Sequence, residues 1–191
     1  MTGALNYFFE LDQEFFLWLN GFHTPFWDTV MEIITNKFTW IPMYVILLYG
    51  IIKRFGKTSI GIILSILVAV ALADFVASGL LKPYFMRTRP CYDPVIGSLV
   101  HLVGGCGGAY GFVSSHASTS FAIVSSVILL PSKNLRGVQW LWLWAVIYTY
   151  SRVYVGVHYP LDILGGAFIG ILTGLLCSFT YHKIAPRLFP G

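Results

Sequence analysis

Charge is scarce in this chain. Asp, Glu, Lys and Arg make up 10% of its 191 residues, against about a quarter in an ordinary soluble domain. That excludes a conventional water-soluble fold. The first 36 residues contain no Lys or Arg, so the basic start of a cleavable secretory signal is missing. There are only three cysteines. No C-x2-C and no H-E-x-x-H occurs, which removes the common zinc patterns, and no metal or other cofactor is expected. No C-x5-R occurs either, which argues against a cysteine phosphatase. Linkers, internal repeats and low-complexity tracts are absent, so residues 1–191 read as a single membrane domain. The net charge is +4, but the basic residues are spread over short loops instead of one patch. Nucleic acid is therefore not an expected partner.

What the chain has instead is apolar sequence, 57% of the total. Five runs suit a hydrocarbon layer of about 30 Å: 38–53, 58–81, 116–132, 137–156 and 160–182. Pro42 falls in the first turns of the first run, where its missing N–H is tolerated. Gly166, Gly170 and Gly174 recur at four-residue spacing in the last, a face on which membrane helices approach closely. Trp140, Trp142, Trp144 and Tyr148 cluster as aromatics do at a membrane boundary. Ahead of these runs, residues 5–21 and 25–36 read as amphipathic and interfacial. They are acidic where such helices are usually basic, and one of them dipping into the membrane is the alternative. The expected fold is all-α: a polytopic membrane helical bundle of five to six transmembrane helices. Residues 1–36 form its N-terminal amphipathic segment and 38–184 its core.

Orientation follows from the basic residues. Lys53, Arg54, Lys57, Lys133, Arg136, Lys183 and Arg187 fall on one side of a five-span arrangement. Every acidic residue except Asp74 falls on the other. The positive-inside rule makes the first side cytoplasmic. The expected location is a bacterial inner or plasma membrane.

Three motifs share the outward side. Lys82 and Arg89 flank a seven-residue interval that ends at Pro90. Ser114, Ser115 and His116 precede the third span. Arg152 is followed by His158 and Asp162, with Pro160 at the start of the last helix. Each has an ordinary reading alone: snorkelling cations, a serine helix cap, an exposed His–Asp pair. Together they supply cations for an oxyanion and two histidines for attack and protonation. Asp162, four residues after His158, can hold one ring nitrogen and leave the other free. Arg87 falls outside this set and is assigned to contact with a lipid headgroup. Asp74, Ser78 and Lys82 share one helix face, which suggests that Asp74 pairs structurally with a motif cation.

The pattern K-x6-R-P, then a P-S-G-H-like run, then S-R-x5-H-x3-D resembles the type 2 phosphatidic acid phosphatase superfamily over residues 74–170. One departure is visible, since Val113-Ser114-Ser115-His116 replaces the Pro and Gly of the second run. The resemblance implies an integral membrane lipid phosphatase. In that family pattern Ser114 binds the phosphate beside Lys82, Arg89, Ser115 and Arg152. His116 protonates the leaving oxygen, and His158 becomes a phosphohistidine.

The expected function is metal-independent hydrolysis of a lipid phosphate or diphosphate. Undecaprenyl diphosphate is favoured because the site faces outward. Phosphatidylglycerophosphate, phosphatidate and lipid A phosphates are alternatives, as are a lipid phosphotransferase and a non-catalytic lipid transporter. The expected partners are the bilayer and its lipid phosphate. Oligomeric state is left open. Cys91 and Cys106 share the outward loop, where oxidation is permitted. A disulfide between them is expected, with two free thiols as the alternative.

Overall fold

A computed structural model describes residues 2–129 and 137–188. The described residues are helical apart from loops and one isolated bridge between Thr88 and Tyr110. α1 (Thr2–Asn20) and α2 (Pro25–Thr35) come first, then a 3-10 turn leading into α3 (Ile41–Phe55). α4 (Ser59–Asp74) continues through a π-helical stretch, Phe75–Leu81, into the short α5 (Lys82–Phe85). After the loop come α6 (Ser115–Ile128), α7 (Trp140–Tyr154) and α8 (Pro160–Leu188). The five expected apolar runs thus correspond to α3, α4 with its π-stretch, α6, α7 and α8. Residues 130–132 of the third run, with Lys133 and Arg136, lie outside the described residues. Two helical stretches, 37–85 and Pro160–Ile184, are long and apolar enough to cross a membrane. α6 and α7 have 14 and 15 residues, short of the roughly 20 that a span needs. Both border the undescribed segment.

α6 is the centre of the bundle. It packs against α8, α4 and α7. The glycine spacing read in the sequence explains the closeness of α8. A Cβ at Gly166 would lie 2.8 Å from Ala117 Cβ, and one at Gly170 would lie 2.9 Å from both Ala122 N and Phe121 Cβ. Neither distance is tolerable, so only glycine permits this helix separation. The facing surface of α6 is small too: Ala117, Ser118, Ala122 and Ser125 are buried. The Ser125 hydroxyl donates to Phe121 O within its own helix and lies 3.3 Å from Gly170 O across the interface.

Polarity is inverted relative to a soluble protein. Ser118, Ser120, Ser126 and Ser151 are buried, whereas Ile46, Leu67, Phe168 and Phe179 are exposed on α3, α4 and α8. An apolar surface of that kind has to be covered by something other than water. Inside, Ile51, Ile62, Phe121, Trp144 and Tyr148 form the main apolar cluster.

α1 lies across the motif end of the bundle as an amphipathic helix. Asp12, Phe16 and Asn20 recur every four residues and are buried, while Phe8, Leu11, Phe15 and Trp18 point outward. Asn20 donates to His101 O and Tyr154 O and accepts from His101 N. α2 is capped by Thr24 and docks on α7, where Asp28 accepts from the Tyr154 hydroxyl at 2.8 Å. Asp12, Asn20 and Asp28 thus face protein partners, while Glu10, Glu14 and Glu32 stay exposed.

Replacing Gly170 with Val should force α6 and α8 apart. Overpacking of this kind costs about 1–3 kcal/mol. Thermal unfolding in detergent should show the loss, with a smaller effect for Gly170→Ala.

Candidate active site

The first motif is placed by a change of helix type. α4 switches to π-helix immediately after Asp74, ahead of Lys82. π-Turns of this kind recur at functional sites because they re-aim the side chains that follow. Lys82 Nζ donates to Ser115 Oγ at 2.6 Å. Ser78 Oγ lies 2.8 Å from the same hydroxyl and donates to Asp74 Oδ1 at 3.1 Å. Asp74 is thus tied to the motif cation, as its spacing suggests, but through two hydroxyls.

The chain then leaves the helix, with Met86 in a left-handed conformation. The Arg89 amide donates to Ala109 O, and Gly111 N donates to Arg87 O. These bonds fold the 86–111 loop back on itself. Cys91 and Cys106 form a disulfide, with Cα atoms 6.2 Å apart, and Cys177 is free. The crosslink stands beside Arg89. Gly107 passes along its guanidinium, and Tyr92 donates to Gly107 O. Arg89 itself is buried.

Ser114 occupies the N-cap position of α6 with extended backbone, yet its hydroxyl makes no capping bond. The capping reading therefore holds for its position and not for its side chain. Its amide donates to Asp162 O, which ties the start of α6 to the start of α8. His116, one residue into α6, rests on the Tyr148 ring at 5.2 Å. It lines a cavity of about 370 Å3 with Lys37, Tyr44, Asp74, Ser115 and Thr119.

Arg152 sits in the last turn of α7, and one of its arms donates to Thr35 Oγ1 of α2 at 2.7 Å. The loop 155–159 returns toward it, with Val157 N and His158 N both donating to Arg152 O. His158 Nδ1 lies 3.2 Å from Asp162 Oδ2. The same oxygen accepts from Tyr159 N at 3.0 Å. His158 and Asp162 are essentially inaccessible to solvent. Burial, reinforced by the fields of Arg89, Arg152, Lys82 and Arg87, holds the His158 imidazole well below its usual pKa. It is neutral at pH 7, the state in which a ring nitrogen has a lone pair to offer. Gly111 permits this crowding. A Cβ there would lie 2.8 Å from Asp162 Oδ2, 3.4 Å from Arg89 Cγ and 3.5 Å from His158 Nδ1.

All eight motif residues therefore gather at one end of the bundle. Arg89 Nε, Ser114 Oγ and Arg152 Nε are buried without hydrogen-bond partners, three of six such side-chain atoms among the described residues. Leaving a buried donor unsatisfied costs about 1–3 kcal/mol. Gathered around the His158–Asp162 turn, such groups suit an oxyanion, which accepts from all of them.

Arg87 differs from its expected place. It does not reach toward lipid headgroups. Nη1 donates to Asp162 Oδ1 at 2.9 Å and Nη2 to Asp12 Oδ2 at 2.7 Å. Its guanidinium also stacks 4.1 Å above the Tyr159 ring. Two carboxylates and a ring hold the guanidinium inward, with 14% of the side chain exposed. Asp12 and Arg87 are the residues that motif reasoning passed over. Their partners lie 75 positions away in sequence, and no local spacing encodes them.

Residues 62–185 match the PAP2 superfamily. The chain belongs to that superfamily. It is 37% identical over 182 residues to a lipid A 4'-phosphatase of Bacteroides thetaiotaomicron, covering 94% of this chain and 80% of the relative. A second lipid A 4'-phosphatase, from Porphyromonas gingivalis, is 33% identical over 175 residues, covering 89% and 72%. A transmembrane PAP2-type phosphatidylglycerolphosphate phosphatase of Bacillus subtilis superposes with a TM-score of 0.70 at 24% identity, covering 94% of this chain and 88% of that one. That likeness speaks for a PAP2 membrane fold. With family membership and two named lipid phosphatases as relatives, the reading of the chain as a lipid phosphatase stands.

Mass mapping of unreduced PAP2 protein should yield one peptide linking Cys91 to Cys106, with Cys177 alkylated. Replacing both loop cysteines with Ser should lower stability by about 3 kcal/mol, the loop-entropy value for a closure of this length. It should also weaken phosphate binding, because Arg89 loses its fixed neighbour.

Proposed function

We propose that the chain removes a phosphate monoester from a lipid A-type glycolipid through a phosphohistidine on His158. The observation that carries this reading is the set of unpartnered donors on Arg89, Ser114 and Arg152 beside the His158–Asp162 pair. Lys82, Arg89, Arg152, Ser114 and Ser115 hold the phosphate oxygens and offset their charge, so that no metal ion is needed. Asp162 accepts from Nδ1–H, and the Nε2 lone pair of His158 attacks phosphorus in line. The P–O bond to the lipid breaks as His116 gives its proton to the leaving oxygen. Water, deprotonated by His116, then attacks phosphorus. The P–N bond breaks, and inorganic phosphate is released.

The cavity beside His116 gives the leaving group room. It shares Tyr44, Val70 and Ile123 with an apolar groove of about 390 Å3 lined also by Leu47, Ile51 and Ile66. A mainly apolar chamber with Ser115, His116 and Asp74 on its wall, beside an apolar groove, suits an amphiphile. The names of the two relatives favour lipid A over undecaprenyl diphosphate. The earlier preference rested on an outward-facing site, which both lipids would satisfy, and it gives way here. In this reading α3, α4, α6, α7 and α8 cross a bacterial inner membrane. α1 and α2 lie on its outer surface, and the phosphate site faces the periplasm.

The purified protein should release phosphate from lipid A 4'-phosphate faster than from undecaprenyl diphosphate or phosphatidate, and should do so in EDTA. His158→Ala and His116→Ala should each lower the rate by about 10²-fold or more. Near wild-type turnover by His158→Ala would sink the assignment. Topology is tested with Cys177 replaced and the disulfide kept. A membrane-impermeant thiol reagent should modify Ser98→Cys in intact cells, and Lys57→Cys only after permeabilisation. The opposite pattern would reverse the orientation.

A further inference from the structure

Asp12 is a buried carboxylate on α1 that the proposed chemistry leaves unused. We infer that it is a positioning residue for His158, and that the N-terminal amphipathic helix is thereby a working part of the active site. The inference rests on the His158 reading above.

The argument starts from what Asp162 must do. Its Oδ2 serves His158 Nδ1 and Tyr159 N, so its orientation fixes the ring of the nucleophile. Its Oδ1 is held by Arg87. Arg87 is mostly buried and sits at the root of a loop, so its own position has to be fixed by something. Asp12 does that with a 2.7 Å ion pair, helped by the rings of Tyr159 and Phe9 on the guanidinium. The side chains of Asp12 and Asp162 are 3% and 0% exposed, and that of Arg87 14%. Breaking a pair with a carboxylate this deep leaves a buried charge without a partner, which is strongly unfavourable.

Asp12 acts on the same turn a second way. Its Oδ1 accepts from Leu161 N at 3.0 Å. Leu161 follows Pro160 in the first turn of α8, where amides have no partner within the helix. α1 thus caps the helix that carries Asp162. One carboxylate fixes both the backbone beneath Asp162 and the cation in front of it. The rest of α1 is anchored to suit: Phe16 packs edge-on against Tyr159 at 5.4 Å, and Gln13 donates to Asp93, which also accepts from the Tyr159 hydroxyl.

Asp12 contacts none of Lys82, Arg89, Ser114 or Arg152. Its loss should therefore slow phosphoryl transfer and leave ground-state phosphate binding intact. Outer partners of functional histidines typically matter by about 10- to 100-fold in activity.

The test is steady-state hydrolysis of lipid A 4'-phosphate in detergent micelles by the full chain. Asp12→Asn should lower kcat by about 10- to 100-fold, with KM within about twofold of wild type. Asp12→Glu should recover most of the rate. Stabilisation of Asp12→Asn against heat by inorganic phosphate should equal that of wild type. Asp12→Asn and Arg87→Gln act through one chain of contacts, so the double variant should be no slower than the slower single. Arg87 keeps Asp162 as its partner in Asp12→Asn, and Asp12→Ser, still able to accept from Leu161 N, serves if Asp12→Asn fails to fold. Wild-type kcat in Asp12→Asn, or in the double variant, would overturn the inference. So would a raised KM with kcat unchanged, or multiplying losses in the double variant. His158→Ala is run alongside. If it is inactive while Asp12→Asn is normal, only the positioning role fails. If it is active, the phosphohistidine reading fails.

Discussion

A carboxylate carried into a protein interior needs a donor at each lone pair, and Asp162 is the group on which this molecule turns. It has no exposed surface, yet Arg87, His158 and Tyr159 N all converge on its two oxygens. Its backbone carbonyl accepts from Ser114 N. Through these bonds it links the loop after α5, the start of α6 and the start of α8. Burial of the carboxylate is unfavourable in itself, and the contacts that offset it also assemble the phosphate site.

The bundle beneath is built to deliver those helix ends to one place. Glycines on α8 and small residues on α6 bring the two axes close, so that Ser114 and Asp162 can bond through their backbones. The π-helical stretch after Asp74 sets Lys82 against Ser115. The disulfide and the bonds from Arg87, Arg89 and Gly111 restrain a glycine-rich loop that would otherwise be costly to order. Large apolar side chains are left on the outside, in keeping with a PAP2 membrane protein.

Much of this was legible in the sequence for definite reasons. Gly166, Gly170 and Gly174 repeat at the helical period, so the close face could be read directly. His158 and Asp162 are one turn apart, which put them within reach before any tertiary contact was known. Lys82, Arg89, Ser114, Ser115, His116 and Arg152 were legible only as a set, because each has an ordinary explanation alone and the three motifs together, at the ends of apolar runs, do not. Arg87 was misread because a cation near a membrane boundary has an ordinary explanation, and its two partners come from α1 and α8. Asp12 looked like one more polar residue on an amphipathic helix. Periodicity identified the polar face but not what that face would meet. The lipid was not legible either: the phosphate ligands recognise a headgroup group that many lipids share.

The most direct test of the central claim is to trap the covalent intermediate. Protein mixed with lipid A 4'-phosphate is denatured in alkali within the first turnover, since phosphohistidine survives base and is lost in acid. The resulting peptides are then sequenced by mass spectrometry. The account predicts one phosphorylated peptide, with the added phosphate on His158, absent in His158→Ala and accumulating in a protein whose second step is slowed. Phosphate on another residue, or turnover with no base-stable, acid-labile phosphopeptide at any time point, would contradict it.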